Sequence, residues 1–239
     1  MNLFAPPRNF DSSCPEMIDR PDVDPASVRE ELLTLEHANR RFGVYQMTLD
    51  SLQRFLARLA VVELRILDFG TGHADIPRAL IAWARQRRLP ITVTAVDGNP
   101  TVLRSARESC RDWPEIQLVQ QDLRSLPYPA ESFDVVLCSL ALHHFTEEDA
   151  VGILGRMQEM ARIGYILNDL RRNYSAILLT RLLLPVFSKS LIVRQDGSQS
   201  SRAAFTVGEL RSMASRAGLR NFIIRRHQGV FRMALEGRK

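Results

Sequence analysis

The sequence predicts an α/β fold in which helices cover an open, doubly wound sheet of seven strands. Two observations carry this prediction. From residue 64 onward, short apolar runs alternate with stretches of helical periodicity, which is typical of a parallel sheet with crossover helices. One run, "ILDF", breaks into two closely spaced glycines and then re-enters a helix, as a backbone does where it approaches a ligand. The 239 residues suffice for one substantial core.

The first 60 residues are predicted to form an arm and a helical cap. Residues 1–24 are rich in proline, aspartate and serine, which favours irregular structure. Asp24 and Pro25 then read as an N-cap and a first-turn proline, and helical periodicity follows over 26–41. Gly43 ends that helix, and a second amphipathic helix is predicted over 44–60.

The sheet domain is predicted over residues 61–239. Its strands are expected at 64–69, 91–97, 116–120, 134–139, 162–168, 221–226 and 230–235, and its helices at 75–87, 100–110, 147–160 and 206–217. Thr206 and Glu209 form a capping box at the start of the last helix. The gap between the last two strands is too short for a crossover, so these strands should form an antiparallel hairpin.

Residues 171–205 form an insert where a few residues would suffice. The segment "NYSAILLTRLLLPVFSKSLIV" is apolar and mostly helical in pattern, and "RQDGSQSSR" after it is predicted to be a loop. Inserts at the carboxyl ends of strands in such sheets lie over the ligand crevice. The insert is therefore interpreted as a lid or a wall of a substrate pocket, with extra core packing as the alternative.

Composition restricts the function classes. The net charge is +5 with a pI near 9.5, but the positive residues are nearly all arginines spread along the chain, which favours solvated surface over nucleic-acid binding. Three widely spaced cysteines without a CxxC pair argue against a disulfide framework and suit a reducing compartment. Neither a signal peptide nor a transmembrane run is visible, so a cytoplasmic location is expected.

The glycine turn at 66–77, "ILDFGTGHADIP", distinguishes two ligand classes. A dinucleotide turn has the pattern G-x-G-x-x-G/A, which here would place Asp75 at the third small residue, next to a pyrophosphate that it would repel. The alternative pattern, D/E-x-G-x-G-x-G, matches at Asp68, Gly70 and Gly72, with Ala74 as the smallest replacement for the last glycine. Asp75 is expected to cap the helix that follows, and His73 either to touch a ligand carboxylate or to face solvent.

This turn resembles the first motif of class I S-adenosylmethionine-dependent methyltransferases, whose domain is a Rossmann-like sheet. The resemblance continues through "VTAVDGNP", "LVQQDL" and "FDVVLCSLALHHF" in the expected order. It implies S-adenosyl-L-methionine as cofactor and S-adenosyl-L-homocysteine as product. It also implies that Asp97 holds the ribose hydroxyls and Asp122 the adenine amino group. The full implied cofactor set is Asp68, Gly70, Thr71, Gly72, Ala74, Asp97, Gly98, Asp122, Leu123 and Ser139.

Several acceptor classes are disfavoured. The N/D-P-P-Y/F motif of base amino-methylating enzymes is absent after the fourth strand, where the sequence reads "CSLALHHF". Cys138 lies inside a predicted strand and follows a leucine, which does not suit a base C5-methylating nucleophile. The chain also lacks the lysines of the catalytic ribose-methylating type. No nucleic acid partner is therefore expected.

Candidate catalytic residues follow the fourth and fifth strands. The "LHHF" segment resembles that of ubiquinone/menaquinone-type and other small-molecule methyltransferases. Either His143 or His144 could act as a general base, since histidine titrates near neutrality, and Asp169 could orient one of them. The alternative is that one histidine packs and the other shapes the pocket. No third ligand stands at a suitable spacing, so no metal site is predicted.

The substrate side is predicted at "NDLRRNY". Asn168 ends the fifth strand on the ligand face, Arg171 and Arg172 could meet an acidic acceptor or solvent, and Tyr174 could line the entrance.

The N-terminal segment adds a resemblance of its own. "PEMID" and "NRRFG" are similar to the leader of a bacterial branch of small-molecule methyltransferases that act on phenolic or polyketide-derived products. That resemblance implies a small hydrophobic acceptor, with O-methylation favoured over C-methylation. An RNA methyltransferase and a non-catalytic cofactor-binding protein are the alternatives, and both a monomer and a homodimer stay open.

Overall fold

The computed structural model describes residues 5–20, 22–57, 59, 62–188, 190–227 and 231–239. Seven strands form one sheet: β1 (Leu64–Phe69), β2 (Ile91–Asp97), β3 (Ile116–Gln120), β4 (Phe133–Ser139), β5 (Ala161–Leu170), β6 (Phe222–His227) and β7 (Arg232–Arg238). Their order across the sheet is β3-β2-β1-β4-β5-β7-β6. The first five strands pair in parallel, and β7 runs antiparallel between β5 and β6. The predicted fold class and the terminal hairpin are confirmed.

Within the described residues, eight α-helices accompany the sheet: α1 (Pro25–Arg41), α2 (Val44–Leu56), α3 (Asp75–Gln86), α4 (Pro100–Ser109), α5 (Glu147–Met160), α6 (Tyr174–Phe187), α7 (Leu191–Ala203) and α8 (Val207–Arg216). Two of them begin where the sequence places caps. Asp24 accepts a hydrogen bond from the Ser27 backbone, and the Thr206–Glu209 capping box is formed. No helix in the described part of the chain is long and apolar enough to cross a membrane.

Two apolar layers hold the sheet, one on each face. One layer combines β-strand residues with α5 and α8, through side chains such as Leu154 and Met213. The other joins the sheet to α2 and α3, through Phe55 and Leu80 among others. A strand buried on both faces reads as a continuous apolar run, which is why these strands are visible in the sequence.

The two N-terminal helices pack against different parts of the molecule. Helix α2 lies against the sheet, where Thr48 on its buried face accepts a hydrogen bond from Asn168 of β5 at 2.8 Å. Helix α1 packs instead on α4 with the arm, through Val28, Leu32, Ile18 and Val102. A 3₁₀ helix at Met17–Asp19 carries the arm over the carboxyl ends of the strands.

The loop predicted at 194–202 is wrong, because those residues belong to α7 (Leu191–Ala203). The helix is polar and carries Gly197, so its own sequence gives a weak helical signal. Its stability comes from tertiary contacts. Asp196 accepts hydrogen bonds from the backbone of Met17 at 2.8 Å and of Ile18 at 2.9 Å, and the Ser200 hydroxyl bonds Glu16.

Candidate functional site

A cavity of about 1020 Å³ lies at the carboxyl ends of β1 to β4. Its floor includes Gly70 and Gly72 of the turn after β1, and the arm covers it through Glu16, Ile18 and Asp19. In sheets of this kind ligands bind at this edge, next to the first strand. The cavity therefore stands where the sequence predicts the cofactor.

The two glycines of the turn are required for different reasons. Gly70 has φ +69°, and a Cβ there would lie 2.5 Å from the Cβ of Ala141, so the turn can pass the loop after β4 only without a side chain. Gly72 has φ +55°, and none of the described atoms would lie within 4 Å of its Cβ. A side chain on Gly72 would occupy the cavity itself, so its absence leaves that space to a ligand.

Asp97 is held in place by backbone amides. Its Oδ2 accepts a hydrogen bond from the amide of Gly72, and its Oδ1 accepts one from Asn99, each at 2.9 Å. Burial raises the pKa of this carboxyl above its ordinary value. Each oxygen keeps acceptor capacity toward the cavity, which Asp97 lines, and this suits a pair of hydroxyl groups.

Asp122 and Leu123 lie beside each other at the far side of the cavity. Asp122 is exposed, and its carboxylate is paired with Arg124, with Oδ2 2.6 Å from Nη2. That pairing holds the pKa of Asp122 below its ordinary value. Leu123 is buried and offers an apolar flank and a backbone amide, as a purine ring requires.

The lining of the cavity fits S-adenosylmethionine. Carboxylates of Glu16, Asp19 and Asp97 border it, and a sulfonium ligand that carries an amino group is cationic there. Asp97 can accept hydrogen bonds from the two ribose hydroxyls, and Leu123 offers an apolar flank to adenine. The open space above Gly72 leaves room for the methionine part.

Four residues of the implied cofactor set lie beneath the cavity and do not line it. Asp68, Thr71, Ala74 and Ser139 are buried, whereas Gly98 lines the cavity with the residues above. Burial raises the pKa of Asp68 to about 7. Ala74 takes the left-handed conformation, with φ +55°, which explains why a glycine suits this position.

The interpretations of His73 and Asp75 are wrong. His73 is buried, with its ring nitrogens 3.2 Å from the Ser105 hydroxyl and 2.9 Å from that of Ser109 on α4. Asp75 is the first residue of α3 and makes no side-chain cap. Its carboxylate accepts hydrogen bonds from Asn39 and Tyr45 of the N-terminal helices, which fixes those helices to the turn.

A smaller cavity of about 240 Å³ adjoins the first one beneath the arm. Five residues line both cavities, namely Glu16, Asp19, Arg124, His144 and Phe145. The smaller cavity also has walls from Phe10 and Cys14 of the arm, Gln199 and Ala203 of α7, and His143. It thus joins three segments that are far apart in the sequence.

His143 forms a buried pair with Asp169. Its Nδ1 lies 2.7 Å from Asp169 Oδ1, and its backbone amide donates to Oδ2 at 3.1 Å. Burial by itself lowers the pKa of His143, but the charge and hydrogen bond of Asp169 outweigh it and leave the pKa above its ordinary value. Burial alone would raise the pKa of Asp169, and His143 holds it below its ordinary value.

His144 is more accessible, with its side chain 29% exposed. Its Nε2 lies 3.9 Å from Glu16 Oε2 and its Nδ1 lies 3.8 Å from Asp19 Oδ2. The two imidazole rings stack with centroids 4.3 Å apart. The expectation that no third ligand accompanies the histidines is wrong, because Glu16 joins them at metal-ligand spacing from the distant arm.

The predicted substrate residues occupy other places. Asn168 is buried against α2, and Arg172 is buried in hydrogen bonds to Pro6 and Ala204 and an ion pair with Glu209 at 2.6 Å. Arg171 and Tyr174 line neither the 1020 Å³ cavity nor the 240 Å³ cavity, and Tyr174 is exposed. Asn168 and Arg172 also line neither of these two cavities.

Several residues at the site gave no signal in the sequence. Arg8 donates hydrogen bonds from Nη2 to the carbonyls of His143 and Phe145, and it stacks on Phe205. Phe10 lies in an arm predicted to be irregular. Only the tertiary structure brings such residues to the histidines.

The comparisons with known proteins agree with this geometry. The family model described as a methyltransferase domain matches residues 66–164. Residues 66–164 are a class I S-adenosylmethionine-dependent methyltransferase domain. Its cofactor is S-adenosylmethionine.

Curated relatives of this methyltransferase domain match over part of their length. A malonyl-[acyl-carrier protein] O-methyltransferase of Halorhodospira halophila is 36% identical over 37% of this chain and 30% of its own length. The ubiquinone/menaquinone biosynthesis C-methyltransferase of Rickettsia akari is 30% identical over 39% of this chain and 38% of its own. The chain thus spans less than half the length of these relatives.

Solved structures share the fold more widely. A SAM-dependent methyltransferase from Aquifex aeolicus has a TM-score of 0.62 at 14% identity, covering 90% of this chain and 98% of that one. Magnesium protoporphyrin IX methyltransferase from Synechocystis, with bound S-adenosylhomocysteine, has a TM-score of 0.57 at 18% identity, covering 83% and 84%. These matches support the methyltransferase fold.

Proposed function

We propose that this protein transfers a methyl group from S-adenosylmethionine to an oxygen atom of a small phenolic acceptor held in the 240 Å³ cavity. The observation that carries the proposal is the buried His143–Asp169 pair at the wall of that cavity, next to the larger cavity that fits the cofactor.

The pair is arranged to take up a proton. Asp169 accepts from Nδ1–H of His143, and this leaves the lone pair of the other ring nitrogen, Nε2, as the acceptor. Asp169 acts as a positioning residue, because it fixes the tautomer and raises the pKa of His143. His143, as the catalytic residue of the proposal, lines the acceptor cavity but does not line the cofactor cavity.

The small cavity has a largely polar lining and a volume that is sufficient for a single aromatic ring. An apolar cavity of about 150 Å³ holds benzene, so 240 Å³ accommodates a substituted ring. Phe10 and Phe145 offer apolar walls, and Phe145 and His144 stand at the boundary with the cofactor cavity. An acceptor here would present its hydroxyl between the histidines and the methyl donor.

S-adenosylmethionine supplies an electrophilic methyl group on a positively charged sulfur. The protein's own contribution is to align the acceptor oxygen with that carbon and to remove the hydroxyl proton. In the transfer the oxygen–carbon bond forms as the carbon–sulfur bond breaks, and the phenolic proton passes to His143. The arm residues Glu16 and Ile18 cover the site and limit the access of water.

Methylation of a ring carbon is the second candidate. It is favoured by the partial similarity to the Rickettsia akari C-methyltransferase and to the fold of the citrinin polyketide synthase CMeT domain, which has a TM-score of 0.59 at 14% identity. The same histidine would then remove the proton that the ring carbon loses.

The test is a screen of substituted phenols with methyl-labelled S-adenosylmethionine, followed by NMR of each product. We expect a methoxy signal from single-ring phenols, and a ring-methyl signal would support the second candidate. Label in added RNA, with none in any phenol, would contradict the proposal. His143→Gln is the matched variant, since it keeps a polar side chain of similar size and should abolish transfer to the same phenol.

A further inference from the structure

Three side chains of the acceptor cavity have the chemistry and spacing of metal ligands. One carboxylate oxygen of Glu16 and one ring nitrogen each of His143 and His144 all lie within 4.8 Å of one another. The two histidines follow β4, whereas Glu16 belongs to the arm, so the cluster exists only when the arm is closed over the sheet.

The cluster has an outer layer that orients its ligands. Asp169 accepts the Nδ1 hydrogen of His143 and is itself buried, which leaves Nε2 of that ring available. The Ser200 hydroxyl lies 2.6 Å from Oε1 of Glu16, and Asp196 pins the next two residues of the arm through their amides. Histidine ligands of metal ions commonly donate their second N–H to a carboxylate in this way.

The charge around the cluster also favours a cation. Glu16 and Asp19 flank His144, and Asp169 lies behind His143. Asp196 lies behind Glu16 as well, whereas Glu31 holds its proton at neutral pH, because burial and then the charges of Asp196 and Glu16 raise its pKa to about 9. Arg8 directs Nη2 to the backbone carbonyls of His143 and Phe145, and Arg124, which lines the same cavity, is paired with Asp122.

We propose that Glu16, His143 and His144 form a binding site for a divalent transition-metal ion such as Zn²⁺. Two imidazoles and one carboxylate suit Zn²⁺ and related ions, whereas Mg²⁺ prefers a shell of oxygen ligands. Three protein ligands leave further coordination positions open to the 240 Å³ cavity.

Metal binding at this site should affect the proposed methyl transfer. This expected effect rests on the proposed function. A histidine nitrogen bound to the ion has no lone pair left for a proton. The ion and the acceptor proton therefore compete, and Zn²⁺ is expected to inhibit the reaction reversibly. Metal binding itself does not depend on the proposed function, so the two can fail separately.

The experiment is a calorimetric titration of the full chain with Zn²⁺ at neutral pH. We expect one site in the wild type and no comparable binding of Mg²⁺. Glu16→Gln and His144→Ala each remove a ligand and should lose detectable binding. Asp169→Asn removes only the second hydrogen bond of a ligand and should weaken binding by about 10–100-fold.

Two matched variants control for other zinc ligands. His37→Ala removes an exposed histidine on α1, and Cys14→Ser removes the exposed thiol that also lines the small cavity. Both should bind Zn²⁺ as tightly as the wild type. Thermal melts establish that each variant is folded. Absence of Zn²⁺ binding by the folded wild type would overturn the proposal, as would full binding by Glu16→Gln or its loss in Cys14→Ser.

Discussion

The two halves of the site are built in different ways. The cofactor half consists of residues that end or closely follow β1, β2 and β3, namely Gly70, Gly72, Asp97 and Asp122. The acceptor half joins the arm, the histidines after β4 and one face of α7. Local backbone geometry sets the first half, and long-range packing sets the second. Changes in the first half should therefore act on cofactor affinity, and changes in the second should act on turnover.

The largest effect is expected from Asp169→Asn, which tests whether the acceptor half acts through His143. The neutral base must be present for proton transfer, so the rate should rise as pH increases through the His143 pKa, which Asp169 holds above its ordinary value. The variant should lose about 10²-fold or more in kcat, and the ascending limb of the pH–rate profile should move to lower pH, because the charge and hydrogen bond of Asp169 no longer oppose the effect of burial.

Asp169→Glu is the control for that experiment, since it keeps the charge and should keep the ascending limb of the pH–rate profile near its wild-type position. A pH profile that is unchanged in Asp169→Asn would refute the role of the pair. S-adenosylhomocysteine affinity, measured in parallel, should change little in either variant, because Asp169 does not line the cofactor cavity.

Asp97→Ala tests the cofactor half. The variant loses a carboxylate that is anchored by two amides and faces the cavity, so S-adenosylhomocysteine should bind at least about tenfold more weakly, or about 1.4 kcal/mol. Asp122→Ala should weaken the binding of S-adenosylhomocysteine by a smaller factor, because that carboxylate is exposed and already paired with Arg124. Calorimetry measures both affinities. Equal losses of affinity in the two variants would contradict the expected difference between Asp97 and Asp122.

Glu31→Gln tests the N-terminal helix that borders the cofactor cavity, in the protein without ligand. Burial and neighbouring acids raise the pKa of Glu31 to about 9 from a model-peptide value of 4.5. The folded state therefore holds this proton more tightly than the unfolded state, and the stability it contributes is present below about pH 4.5 and is lost as pH rises toward about 9. The variant does not titrate, so its Tm should gain on the wild type between about pH 5 and about pH 8.

A Tm difference that stays constant over this range would contradict the raised pKa. Glu30→Gln is the matched control, because Glu30 is the exposed neighbour on the same helix and should show no such trend.

The smallest effect is expected from Ala74→Gly in the turn itself. Glycine relieves a left-handed conformation that costs an alanine roughly 1–2 kcal/mol. It also removes a methyl group packed near Ala106 and Cys110, worth about 0.8 kcal/mol, and gives the unfolded chain more freedom. These terms nearly cancel, so urea denaturation should show a change below about 1 kcal/mol. A larger loss would mean that the packing of the methyl group dominates.

Prediction from the sequence succeeded where a residue's environment is set by its own segment. The strands β1, β2 and β3 begin and end at the predicted residues, because their apolar runs are bounded by turn residues in their own segments. It failed at α7, at His73 and at Asp75, whose environments come from the arm, from α4 and from the N-terminal helices.

The sequence by itself therefore determined the sheet, the glycine turn and the acid after β2, since periodicity and turn chemistry are local properties. It also indicated that His143, His144 and Asp169 share one edge of the sheet, because the carboxyl ends of neighbouring parallel strands meet there. Only the tertiary structure decided that Asp169 pairs with His143, and that Glu16 joins the histidines across more than 120 residues of chain. Such contacts depend on how the arm and α7 pack together, and no periodicity of either segment encodes them.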